Sequence, residues 1–581
     1  MGEADEGGIA RKWWIKFKDE SVFAKYTPFF VCLASGSLNC DTFMHFISQD
    51  VHFLKAFALA YELAEECADD EEDKLAIRKL RKRVKQKLKT LDSLVREWGF
   101  ELPEEIITDD ATVKCTDFLL STASGKVEGE KVLGKIETPF EKIKVAAYTL
   151  SAISPCLRLF EVIAKEIQAL LNPDDGSHLY KKWIDYYCSQ SFQESALQTE
   201  ELLDKLSVLL TGEELEVIKK LYYKAIKLHV NFFAAQPVKQ QTTVPLSWVK
   251  DPVEGHLTLF CDFDWTCTAF DSSSILAELA IVTAQKSDPD QSEGKLTWMS
   301  SADLRNTWDV LSTKYTEEYE QCIESIMSSE AVAEFEYEGL CEALKQLAYF
   351  EKNENSRVVQ SGVLKGLNLE DIKWASQHLI FQDGCRRSAF ASGILSETYK
   401  SCIIHFREHT LSENSSAPLM LSGLFYVSVG GELVTIIDLF HHCIWDLNAF
   451  RVHSNELVYE ESISTGEIVN KLESPLEKLQ AFNDILKDHS NDEQNLTVYI
   501  GGSPGDLLCL LEADIGIVIG SSSSLRRLGD HFGVSFVPLF SSLVERQKEL
   551  VDGSSYKWKR LPGTLYTVSS WAEIHAFILG P

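Results

Sequence analysis

One change in the spacing of apolar residues fixes what this chain can fold into. From about Trp13 to Ala235 they recur every three or four positions, most clearly over 42–66, 72–98, 140–171 and 213–234. That is the period of packed helices. Gly and Pro are sparse inside these segments and gather between them, as in Asn172-Pro173-Asp174-Asp175-Gly176. The stretch 236–255, QPVKQQTTVPLSWVKDPVEG, holds three prolines and little periodicity, so it reads as a linker. Beyond it come short apolar runs bounded by Gly, Ser and Asp: His256–Cys261, Leu419–Leu421, Leu496–Ile500, Ile515–Ile519 and Val534–Pro538. Helical segments separate them, which is the grammar of a parallel sheet covered by helices. The block 271–380 is mostly helical and predicts a cap over the sheet's carboxyl edge. The expectation is a multidomain chain: an all-α bundle over 13–235, then an α/β domain over 256–581.

Length and charge narrow the partners. At 581 residues, with 45% hydrophobic and 25% charged residues, the chain can bury more than one core. Its net charge of −31 argues against nucleic acid and anionic lipid, both of which need a basic face. Small substrates, anionic ones included, stay open because a local field can oppose the net charge. The 14 cysteines are scattered, with no C-x-x-C pair, which disfavours disulfides and zinc and favours a reducing compartment. No run of 18 apolar residues predicts a membrane span. The start, MGEADEGGIARKWW, lacks a signal peptide's apolar core and is too acidic for a typical transit peptide. The chain reads as cytoplasmic.

The sharpest local signal is Leu257-Thr-Leu-Phe-Cys-Asp262-Phe-Asp264-Trp-Thr266, a strand running straight into two aspartates. Phosphoryl transfer needs a nucleophile, a proton donor for the leaving oxygen and a cation on the phosphate. Asp262 can attack phosphorus and hold Mg²⁺. Asp264 can protonate the leaving alkoxide and later deprotonate water. This motif resembles the haloacid dehalogenase (HAD) phosphatase superfamily, which implies a Rossmann-like α/β domain and further parts. A phosphate-binding Ser ending a strand is matched by Ser422, with Ser428 as the alternative. Gly431-Glu432-Leu433 lies later than the resemblance expects, and 423–446 reads as an insertion or rearrangement. A charge-balancing lysine is matched by Lys478, with Lys471 as runner-up. The last motif, G-D-x-x-x-D, is matched by Gly501-Gly502-Ser-Pro-Gly-Asp506, where Gly502 replaces a usual metal ligand. The implied Mg²⁺ ligands are Asp262, Asp506, the Asp264 main-chain carbonyl and waters.

In the first half, Phe43, Phe46, Ile47, Leu54, Phe57 and Tyr61 form one helical stripe with Asp50 in its middle. A carboxylate there is costly unless it is paired or used. A second oddity is Pro155-Cys156 inside the apolar run Tyr148, Ile153, Leu157, Phe160. Asp50-Val-His-Phe-Leu, Ser154-Pro-Cys156, Tyr180-Lys-Lys-Trp-Ile-Asp-Tyr-Tyr187 and Val230-Asn-Phe-Phe233 together resemble the TenA family of thiamin salvage. The resemblance implies a haem-oxygenase-like helical bundle in which Cys156 is the nucleophile and Asp50 binds the aminopyrimidine. Tyr187 would hydrogen-bond near the thiol and Phe53 would pack on the ring. Two family positions differ: Cys115 stands for a tyrosine and His229 for the glutamate that shuttles protons. The whole chain resembles plant bifunctional TenA–HAD fusions. That implies a Mg-dependent phosphatase for thiamin monophosphate, an aminopyrimidine aminohydrolase, and homo-oligomerisation through the helical domain.

Overall fold

The computed structural model describes residues 7–581 apart from 98, 100, 102–106, 128–138, 173–175, 249–256, 286–298, 329, 377–379, 383, 386–416, 430–449, 470, 471, 473, 489–495, 552–557 and 559. Two compact units emerge. The first takes residues 1–249 together with 543–555 and 575–581; the second takes 250–542 and 556–574.

The first unit is helical. Its main elements are Cys40–Cys67, Glu71–Glu97, Asp110–Ala123, Pro139–Leu170, Gln190–Ser207 and Gly212–Ala234. Local chemistry sets several of their ends. Thr211 opens the last with a capping box to Glu214, and Thr27 caps Pro28–Ser35, whose end falls at left-handed Gly36. Pro139–Leu170 packs on four of the other five named helices. Its length and mean hydropathy would suffice to cross a membrane, although charged residues interrupt its apolar run. However, 83% of that window is buried within the protein. Phe29, Phe30, Phe46 and Phe233 lie at 0% exposure in one ring cluster with Trp183. Residues 236–248 of the proline-bearing stretch belong to this unit: Gln547 Oε1 accepts from the Thr243 N–H at 2.9 Å, and its amide donates to the Gln241 carbonyl at 3.0 Å.

The second unit is built on an eight-stranded sheet: β1 Leu257–Asp262, β2 Ala417–Val429, β3 Phe450–Glu460, β4 Ile463–Val469, β5 Leu496–Gly501, β6 Ile515–Ile519, β7 Ser535–Pro538 and β8 Thr564–Val568. The order is β4-β3-β2-β1-β5-β6-β8-β7. Strands β1, β5, β6, β8 and β7 form the parallel sheet that the sequence predicts, and β2, β3 and β4 extend it with antiparallel pairing. For β3 and β4 the reason is connectivity: a two-residue turn with Glu461 at φ 57° joins them, and so short a loop permits only an antiparallel partner. Between β1 and β2 lie the helices Ser272–Gln285, Ser301–Ile326, Tyr337–Ser361 and Leu369–Ser376, in the block read as a cap. The core joins Ile323, Leu344 and Leu347 from these helices to Phe260, Phe482 and Tyr499.

Candidate active sites

In the helical unit a recess of about 590 Å³, open mouth included, is lined by Asp50, Phe53, Lys87, Cys156, Phe160 and Tyr187 among others. Asp50 is 2% exposed, and its partner is Lys87, with Nζ 3.2 Å from Oδ2. The same ammonium donates to the Tyr187 hydroxyl at 2.6 Å and lies 4.7 Å from that ring's centre. Burial opposes the Lys87 charge, but Asp50, Tyr187 and the neighbouring Tyr186 outweigh it and raise its pKa. Tyr187 therefore bonds the lysine, and its ring stacks on Phe160 at 4.7 Å and 14°.

Cys156 donates to the Ala152 carbonyl at 3.3 Å and lies 3.2 Å from His229 Nδ1. That nitrogen is also 3.1 Å from the Ala225 carbonyl. Burial pushes the Cys156 thiol well up and drives His229 down to about 4, so both are neutral at pH 7. Phe53 meets the His229 ring edge-on at 4.7 Å. Neither His229 nor Cys115 lines the recess. Cys115, read from the sequence as a substrate-binding position, donates its thiol to the Leu228 carbonyl at 3.3 Å, tying two helices together. Lys87 was not anticipated, although Ile77, Leu80, Val84, Lys87, Leu91 and Val95 share one helical stripe. A lysine on that stripe was the available signal.

In the α/β unit, β1 and β5 are parallel neighbours, so Asp262 at the end of β1 and the Gly501-to-Asp506 turn after β5 emerge together. Lys478, in the first turn of Pro475–Asp488, bridges them: Nζ is 2.7 Å from Asp262 Oδ1 and 2.9 Å from Asp506 Oδ1. Burial disfavours its charge, but the two carboxylates prevail and hold it protonated. Asp506 Oδ1 also accepts from Tyr499 at 3.0 Å, while Oδ2 takes the Gly502 and Ser503 N–H groups and the Ser503 hydroxyl. Burial pushes Asp506 up, yet Lys478 and these donors bring it below the usual carboxylate range. Asp262 moves the other way, to about 6, through burial and the Asp506 charge. Asp264 Oδ1 accepts from the Ser272 N–H at 3.1 Å and Oδ2 from its hydroxyl at 2.8 Å; burial, then Asp271, raises its pKa strongly. It is therefore poised as an acid.

Ser422 does not end a strand, as the motif reading expected. It lies inside β2, which runs antiparallel to β1 with Leu424 opposite Asp262. The alternative, Ser428, pairs with Thr258, four residues back along β1. Lys471 falls outside the described residues. No group of three His, Cys, Asp or Glu among the described residues is placed to hold a metal ion. Both oxygens of Asp506 are already engaged, so among the described residues the donors left for a divalent cation are Asp262 Oδ2, which accepts there from Thr266 at 3.3 Å, and the Asp264 main-chain carbonyl. Two oxygens suit a hard cation that keeps waters and takes phosphate oxygens. Glu351, on Tyr337–Ser361, was also not anticipated. It interacts electrostatically with Lys478 and Asp506, and its carboxyl is pushed up to about 7, chiefly by burial.

A helical unit with a polar recess, joined to an α/β unit with an aspartate–lysine–aspartate centre, defines a two-part hydrolase class. The helical half matches the TENA/THI-4/PQQC family over residues 23–127 and 144–237. Over 579 residues, 99% of this chain and 90% of the relative, the chain is 54% identical to "Bifunctional TH2 protein, mitochondrial" of Arabidopsis thaliana. The chain belongs to that family of bifunctional TenA–HAD fusions of thiamin salvage. Its helical part is also 24% identical over 207 residues, 35% of this chain and 81% of the relative, to "Aminopyrimidine aminohydrolase" of Staphylococcus aureus. Among solved structures, "TenA homologue protein from P.horikoshii OT3" aligns at 18% identity with a TM-score of 0.32, covering 39% of this chain and 97% of that one.

Proposed function

We propose that the α/β unit removes phosphate from thiamin monophosphate and that the helical unit hydrolyses an aminomethyl-pyrimidine to its hydroxymethyl form. The observation that carries the first half is the charged bridge Asp262–Lys478–Asp506 at the carboxyl ends of adjacent parallel strands. The Asp262 carboxylate attacks phosphorus. Asp264 gives its proton to the departing alkoxide. A covalent aspartyl-phosphate remains, Asp264 then takes a proton from water, and the resulting attack releases inorganic phosphate and restores Asp262. Lys478 holds the nucleophile in place and offsets its charge. Asp262 Oδ2 and the Asp264 carbonyl would hold Mg²⁺, which when bound neutralises phosphate charge. Asp262→Asn should abolish magnesium-dependent phosphate release across a panel of small phosphoesters that includes thiamin monophosphate. Full retained activity would remove the site assignment.

In the helical unit the Cys156 sulfur adds to the pyrimidine ring and its proton leaves with the departing amine as ammonia; water then adds its hydroxyl to the exocyclic carbon, and the sulfur–ring bond breaks as the water's proton returns to Cys156, with Asp50 holding the ring's amino edge. Cys156→Ser should stop ammonia release, and unchanged turnover would reject the thiol's role. A second reading has its own support. Cys156 and His229 are both neutral and Asp50 is already paired, as in a unit that binds a pyrimidine without turning it over. Calorimetric titration beside a turnover assay separates the two: tight binding with no ammonia released favours the binding module. Self-association through the helical unit completes the proposal, with sedimentation as its measure.

A further inference from the structure

Two packed helices make the polar wall of the helical unit's recess. Cys40–Cys67 supplies Asp50, and Glu71–Glu97 supplies Leu80, Val84 and Lys87, four and then three residues apart on one face. The lysine is clamped rather than mobile in a pocket of its own. Its ammonium lies 3.2 Å from Asp50 Oδ2 and 2.6 Å from the Tyr187 hydroxyl, with the ring centres of Tyr186 and Tyr187 at 5.1 and 4.7 Å. Only 10% of the Lys87 side chain is exposed. Asp50 Oδ1 accepts no hydrogen bond among the described residues. The Tyr187 oxygen already accepts from Lys87, so its own proton is left to donate, and it meets no acceptor among them.

This arrangement changes what the wall asks of a ring. A carboxylate alone offers two acceptors and a negative charge, which fit the amino N–H and the adjacent ring N–H of a protonated aminopyrimidine. Asp50, Lys87 and Tyr187 together offer one open acceptor beside donors, with no net charge. That pattern fits an amino N–H next to an unprotonated ring nitrogen, and it sets a like charge against a cationic ring. We propose that Lys87 is a specificity-determining residue of the recess, which makes it take an aminopyrimidine as the neutral base and reject the ring-protonated cation. This rests on the aminopyrimidine reading of the helical unit and deepens it. The other ionisable groups around the recess keep one charge state near neutrality. Burial raises Tyr61, Tyr186, Tyr187 and Cys156, His229 behind Phe53 stays neutral down to about 4, and Arg83 is ion-paired with Glu194.

The test is calorimetric titration of the full chain with the hydroxymethyl form of the aminopyrimidine, which is not turned over and whose ring is its titrating group. In wild type, Kd should weaken about tenfold for each pH unit below the ring's own pKa. Titrations in two buffers of different ionisation heat should show a proton released as each ligand binds there. Lys87→Arg, which keeps the charge, should behave as wild type. Lys87→Gln should reverse the sign: binding tightens as pH falls towards the ring's pKa, and a proton is taken up. A lysine that only holds the fold together would shift the melting temperature without reversing that sign. Proton uptake by wild type, or a Gln variant that keeps the wild-type sign, overturns the proposal and leaves the aminopyrimidine reading intact. Absence of binding at every pH overturns both. Should Lys87→Gln fail to fold, the wild-type proton count still decides whether the neutral base is selected.

Discussion

Lys87 turns Asp50 from a liability into a fixture. A carboxylate at 2% exposure would be costly alone, and the lysine both neutralises it and anchors Tyr187. Lys87→Met should therefore destabilise the helical unit by about 3 kcal/mol or more, because it strands a buried charge. Adding Asp50→Asn should recover much of the loss, and urea midpoints measure both. His229 carries a separate signature in pH. Its folded pKa is about 4, against an ordinary value of 6.5, with burial as the cause. Between those values the unfolded chain binds a proton that the folded one refuses, so stability falls as pH drops from 6.5 towards 4. The loss amounts to about 3 kcal/mol and should vanish in His229→Gln, as denaturant midpoints across that range would show.

At the scale of elements, Gly502 shows how a backbone can forbid the residue that a motif expects. A Cβ there would lie 2.7 Å from the Ile519 carbonyl oxygen and 3.4 Å from Thr266 Oγ1. Gly502→Asp should consequently cost about 1–3 kcal/mol from crowding, read as a lower melting temperature, before any gain in metal affinity could register. Elements also explain what was legible in the sequence. Asp262, Lys478 and Asp506 stand at the ends of buried, nearly continuous apolar strands or at a helix start, positions that periodicity marks. The hairpin β3–β4 was missed because Phe450–Glu460 mixes charged and apolar residues with no long apolar run. Lys87 and Glu351 were missed for a related reason. Each is a charged residue on a core-facing stripe, and among many surface charges only the stripe distinguishes it.

At the scale of the whole molecule, the two units are interleaved in sequence. The first reclaims 543–555 and 575–581 after the second has been laid down. Within it, Phe23 meets His575 edge-on at 5.1 Å, and Ala576, Phe577 and Ile578 are at most 5% exposed. Deleting 575–581 should therefore destabilise the helical unit, far away in sequence, by about 3 kcal/mol or more, given the apolar side chains that lose their burial. The check is a drop in the thermal transition that an aminopyrimidine ligand raises; a drop confined to the phosphatase transition would contradict it.

That interleaving has a bearing on how the protein is made. Translation runs at roughly 5–20 residues per second, so the helices begun at the amino terminus wait on the order of half a minute for their last partners to be synthesised. Throughout that interval the surface awaiting Phe577 and Ile578 is uncovered, a window in which a chaperone or a second nascent chain can occupy it. The unit that emerges first from the ribosome is the one that finishes last.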